Sequence, residues 1–203
     1  MSDQQRVFSR SHADEVDIAL SAIDCVLNGE KAVYASSELT TGRLVSSVLR
    51  ETGLENTSDL RRHLGEHEYT TRIWDRNVAA ATAFARKLHH SLGGNQIVIT
   101  PAPFMARGWN QSEYLSFWKT LIRSRIKAVY FNENWEYSNG CAYELVEALD
   151  AGLPTFEARG EPLAPSRAAA LIERAIAELR EQGLNVEVLS GHLGRLESVR
   201  NSR

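Results

Sequence analysis

Short apolar segments alternate along this chain with helix-period segments of ten residues or more, and that alternation limits its fold more than any other feature. Residues 31–36 (KAVYAS), 96–100 (QIVIT), 128–131 (AVYF) and 153–156 (LPTF) have the length and composition of buried strands. Between them, 77–92 presents an alanine-rich inner face and stops at Gly93-Gly94. Residues 111–125 line up Tyr114, Phe117, Trp118, Leu121 and Ile122; 141–151 is closed by Gly152; 165–182 is long and amphipathic. Strands joined through helices of this length pair in parallel, because the right-handed crossover lets the helix pack back on the sheet. Residues 185–189 (NVEVL) alternate like a fifth strand. The expectation is a three-layer α/β/α sandwich around a five-stranded parallel sheet, with 1–203 as a single domain.

The remaining segments are placed around that frame. Residues 13–27 form an amphipathic helix with Asp14, Glu15 and Asp17 near its start, so 1–30 reads as an N-terminal helical extension. Residues 44–75 are rich in charge and read as a surface insertion, with helical turns at 44–50 and 59–64; 191–203 reads as a frayed tail. The chain is 43% apolar and 24% charged, enough to fill a core, and its net charge of −3 argues against a nucleic-acid polymer as partner. Residues 1–11 are polar and no apolar run approaches the roughly 20 residues that span a bilayer, which predicts neither a secretory signal nor a membrane partner. Cys25 and Cys141 lie far apart and fit a reducing, cytoplasmic setting. His63 and His67 stand at i,i+4 without a third ligand, so neither metal nor cofactor is expected.

In a parallel sheet, ligands bind beyond the carboxyl ends of the strands, near the point where strand order reverses. The loops to read are therefore 36–43, 101–110 and 132–140. The third leads through Asn132, Trp135, Ser138 and Gly140 into a helix carrying Glu144. A carboxylate there can act as a nucleophile on a sugar carbon, or can be present only because the helix dipole favours it; Ser138 alone fits a cap. The first loop offers Ser36, Thr41, Gly42 and Arg43, which suit phosphate or sugar hydroxyls and equally an ordinary strand-to-helix turn. It matches neither a Walker A loop nor a dinucleotide fingerprint. Phe104 and Trp109 on the second loop could stack a planar base or fill the core. Cys141, at a helix start, could have a depressed pKa.

Two stretches together resemble the nucleoside 2-deoxyribosyltransferase-like superfamily, which includes deoxynucleoside 5′-monophosphate N-glycosidases. Residues 32–43 resemble its Tyr-containing first strand and the phosphate-or-sugar loop ending Gly-Arg. Residues 138–144 (SNGCAYE) resemble its S-x-G-x-x-Y-E segment. The resemblance covers about 31–160. It implies a flavodoxin-like or Rossmann-like fold and a homodimer or larger, with the crevice near the interface. The implied reaction is cleavage or exchange of the N-glycosidic bond of a nucleoside or nucleotide, the small-molecule partner. In that role Glu144 attacks C1′ and Tyr34 orients it or the ribose. Ser138, Gly140 and Arg43 hold a phosphate or sugar hydroxyl, and Asn132 and Trp135 shape the pocket.

The family's usual Asp, which protonates the leaving base, would fall near Phe117, Trp118 or Lys119, none of them acidic. Glu113, one helical turn earlier, is the nominee for that proton, with Asp75 a more distant candidate. Two other expectations stand beside the enzyme: a catalytically silent nucleotide-sensing domain of the same fold, and a protein-interaction module.

Overall fold

The computed structural model describes residues 12–201 of the 203. In chain order the elements are α1 (His12–Leu27), β1 (Ala32–Ser36), α2 (Arg43–Thr52), α3 (Thr57–Leu64), α4 (Glu66–Tyr69), α5 (Asp75–Ser91) and β2 (Val98–Ile99). They continue with α6 (Gln111–Arg125), β3 (Ile126–Phe131), α7 (Asn139–Asp150), β4 (Thr155–Glu157), α8 (Pro165–Glu181) and α9 (Glu187–Asn201). A π-helical turn, Thr70–Trp74, runs α4 into α5. The strands form an all-parallel sheet in the order β2-β1-β3-β4. The connection leaving β1 runs to one side of the sheet and the connection leaving β3 to the other, so the crevice between the carboxyl ends of these two neighbouring strands is the expected ligand position.

Side chains of a strand point alternately to the two faces. On β1, Val33 and Ala35 meet Phe84 and Leu88 of α5 on one face. Ala32 and Tyr34 meet the core built with α6 and α7 on the other, where Phe117, Leu121, Ile122, Ala142 and Leu145 are fully buried. Helices thus cover both faces; α1 packs against α6, α9 against α7, and α8 against α9.

The expected fifth strand is absent among the described residues. Residues 185–189 open α9 instead, with the Asn185 side chain accepting the Glu187 N–H at 2.9 Å. Leu189, Leu193 and Leu196 then recur at helical spacing, and the first and last are buried. The segment expected to fray from 191 belongs to this helix as far as Asn201. β2 keeps only two residues of 96–100, and β4 begins two residues later than 153–156 would place it. Residues 44–75 carry Val45, Val48, Leu60 and Ile73 into the core. Their charges lie outside and pair with one another, as in Arg61–Glu66 and Arg72–Glu51. No helix among the described residues is long and apolar enough to cross a membrane.

Candidate active site

Period-two alternation places Tyr34 and Ser36 on the same face of β1, the face against which α7 packs. Ser138 caps α7, its Oγ accepting the Cys141 N–H at 3.4 Å. Glu144, two turns into that helix, is thereby brought over the end of β1. The Tyr34 hydroxyl donates to Glu144 Oε1 at 2.7 Å, and the Ser36 hydroxyl donates to Oε2 at 2.6 Å. Glu144 is only 6% exposed, and Tyr34 is fully buried against Trp118.

Burial lifts the Glu144 carboxyl to about 7, against the opposing effect of the Ser36 and Tyr34 hydrogen bonds. Burial, and then the adjoining Glu144, raise the Tyr34 phenol well above its ordinary range, so Tyr34 stays a donor. Glu147, one turn further along α7, provides the contrast. It is more deeply buried at 1% exposure, yet it accepts Arg123 Nε at 2.7 Å and Arg195 Nη2 at 2.8 Å. Burial would raise its carboxyl, but the two arginines more than offset that and hold it below the ordinary range. A buried carboxylate that only braces a fold is paired in this manner. Glu144 is held by hydroxyls.

The loops on either side of Glu144 clasp each other. Thr41 Oγ1 accepts the Asn139 N–H at 3.0 Å and lies 3.3 Å from Ser138 Oγ. Arg43 donates to Asn134 Oδ1 at 3.1 Å and lies over the Tyr137 ring. Asn77, buried at the start of α5, donates to the Leu39 carbonyl at 2.7 Å and pins the first loop from below. That loop also borders a cleft of about 220 Å³ whose lining includes Thr41, Gly42, Tyr137 and Asn139.

Glu38 was not among the residues picked out by sequence. Its two carboxylate oxygens lie 3.2 Å from the Arg43 N–H at the start of α2, and the Leu44 N–H adds a further bond. The carboxylate folds over Gly42, where a Cβ would lie 2.4 Å from Glu38 Cδ; φ there is +129°. Burial raises Glu38 to about 7, against the two amides. The available signal was an acidic residue just before the Gly-Arg turn, a place where a helix N-terminus attracts negative charge.

Other expected residues are placed as follows. The Glu113 carboxylate accepts the Asn110 N–H at 2.5 Å while Asn110 accepts the Glu113 N–H, a capping box that closes α6. Phe117 and Trp118 are buried and Lys119 is exposed. Phe104 stacks on Phe117 at 4.6 Å and Trp109 donates to Glu15, so both belong to an aromatic cluster behind Tyr34. Trp135 packs against Phe131 in the core, and the Asn132 N–H donates to the Ser36 carbonyl, tying β1 to the third loop. Gly140 is exposed in the first turn of α7. Cys141 contradicts the depressed pKa its position suggested. Burial, then the charge of Glu144, push the thiol well up, because it lies in the core rather than facing water. Among the described residues no group of three or more His, Cys, Asp or Glu is placed to hold a metal ion.

Comparison with protein-family models, curated proteins and solved structures finds no match to this chain.

Proposed function

We propose that this protein cleaves or transfers the N-glycosidic bond of a nucleoside or nucleoside 5′-monophosphate, with Glu144 as the nucleophile. One observation carries the reading. A carboxylate is buried at the point where the sheet order reverses, and the groups that hold it are two hydroxyls. A Glu oxygen attacks C1′, forming an ester bond as the C1′–N bond breaks; the electron pair departs on the base, which takes up a proton from solvent water. Water or a second base then attacks C1′ and releases Glu144 as a carboxylate. Tyr34 and Ser36 are positioning residues that hold the carboxylate in one orientation and favour its ionised form. Entry of a sugar requires the Thr41–Asn139 and Arg43–Asn134 clasp to part, after which Arg43, Thr41 and Ser138 are free to meet sugar hydroxyls. The resemblance further implies a homodimer or larger, which light scattering reads directly.

The second reading, a nucleotide-binding domain without turnover, is favoured by a separate observation. Glu113 closes its own helix, and the positions where the resemblance calls for an acid hold Phe117, Trp118 and Lys119. One experiment separates the two. The protein is incubated with a panel of purine and pyrimidine nucleosides and their 5′-monophosphates, and free base is followed by chromatography. Base release that disappears in Glu144→Gln supports the enzyme. Binding without release from any member supports the silent domain.

A further inference from the structure

We propose, on the reading of Glu144 as the glycosidic nucleophile, that Glu38 restricts this site to uncharged nucleosides and turns nucleoside 5′-monophosphates away. The start of a helix is where a phosphate would ordinarily settle, because free N–H groups and the helix dipole converge there. In this protein the start of α2 is already filled from within. Both Glu38 oxygens reach the Arg43 amide, and the bare Cα of Gly42 leaves the room that lets the carboxylate lie across the turn.

The cation nearest the turn is already matched, because the Arg43 charge faces the Glu38 carboxylate. Arg43 donates to Asn134 and lies over Tyr137, on the opposite side of the clasp. Glu136, nearly buried, adds its charge to that of Glu38, and Arg43 and, at 4.0 Å from Glu136, Arg174 partly offset it. The position is close to the reacting centre. Ser36, which holds Glu144, is two residues before Glu38, at most about 7 Å of chain. On the nucleophile reading, a ribose with C1′ at Glu144 would extend its 5′ substituent toward this turn. A neutral 5′-hydroxyl can donate to the Glu38 carboxylate, whereas a phosphate can only repel it.

The test compares kcat/KM for one nucleoside and its 5′-monophosphate at pH 8, in the wild type, Glu38→Gln and Glu38→Ala. Gln removes the charge and keeps the shape; Ala opens the amides. The wild type should favour the nucleoside by about tenfold or more, Gln should reduce that preference by about tenfold, and Ala should reduce it further. A wild type that uses both substrates equally, or a preference unchanged in Gln, overturns the assignment of Glu38 while leaving Glu144 standing.

Inorganic phosphate supplies a readout independent of turnover. At matched ionic strength it should raise the melting temperature of Glu38→Ala and leave the wild type unmoved. If no nucleoside or nucleotide is cleaved, the nucleophile reading fails by itself and the phosphate comparison alone judges Glu38. Stabilisation of the wild type by phosphate, or none in a folded Ala variant, then overturns it. If Ala does not fold, the Gln ratio and the wild-type phosphate response still decide.

Discussion

Ser36 Oγ lies 2.6 Å from Glu144 Oε2, a bond that joins residues 108 positions apart across the seam between β1 and α7. It is one of two hydroxyl contacts that hold a carboxyl lifted to about 7, and it governs how the site should respond to substitution and pH.

Glu144→Gln should abolish base release, by about 10³-fold or more, because an amide does not replace a carboxylate as nucleophile. The same variant should be more stable than the wild type above pH 7. The folded pKa of Glu144 lies above its unfolded value of 4.5, so its contribution is fully present below 4.5 and is lost as pH rises through 7. The loss is on the order of 3 kcal/mol. Melting curves at pH 5 and pH 8 check it: a wild type as stable relative to Gln at pH 8 as at pH 5 contradicts the shift.

Ser36→Ala and Tyr34→Phe each remove a bond that favours the ionised carboxylate. In both, the acidic limb of the pH–rate profile should move upward from about 7, further for Ser36, whose hydrogen bond opposes the burial effect more strongly. Lower activity with an unmoved limb would show the hydroxyls acting some other way.

Glu147→Ala should destabilise the fold by about 1–3 kcal/mol, because it removes the carboxylate that ties Arg123 of α6 and Arg195 of α9 to α7 and leaves Arg123 only its pairing with Asp150. Its pH dependence runs opposite to that of Glu144. Its folded pKa is depressed, so its contribution is present above 4.5 and is lost as pH falls through the folded value. Urea unfolding at pH 7 and pH 4 should show the penalty shrinking in acid.

Gly42→Ala should cost more than Gly53→Ala. Gly53 (φ 68°, ψ 23°) sits in the left-handed helical region, where Ala costs about 1 kcal/mol, whereas Gly42 (φ 129°, ψ −169°) sits in a region open essentially to glycine alone, where the backbone cost is about 1–3 kcal/mol. Only Gly42 also sets the new Cβ against Glu38, whereas Gly53 faces open space. A Gly42→Ala loss in chemical denaturation that is as large in the Glu38→Ala background as in the wild type would mean that the Glu38 carboxylate is not seated over Gly42 in solution.

The parallel sheet was legible because 31–36 and 128–131 are too short and too apolar to be anything but buried strands between helices. Tyr34 and Glu144 were legible because strand ends and the following helix start converge in such a sheet. The segment 185–189 misled because five residues of alternation fit a strand and a helix start alike; only the leucines at 189, 193 and 196 separate them. Residues 44–75 concealed their buried side under paired charges. Leu60 stands among polar residues and Ile73 beside Trp74 alone, and both reach the common core only once α3 and the π-helical turn are folded. Glu38 escaped because its partners are backbone amides, which composition does not reveal.

β1 and β3 pair with Tyr34 opposite Val129 and Ser36 opposite Phe131, after an irregularity between Ala32 and Val33. A slip of a single residue would exchange the two faces of β1, turning Val33 and Ala35 toward α7 and Tyr34 and Ser36 toward α5. Glu144 would then be left in the core with neither hydroxyl. On the proposed function, chemical competence and correct assembly therefore depend on the same three side chains, and a chain that zips up out of step is mute instead of indiscriminate.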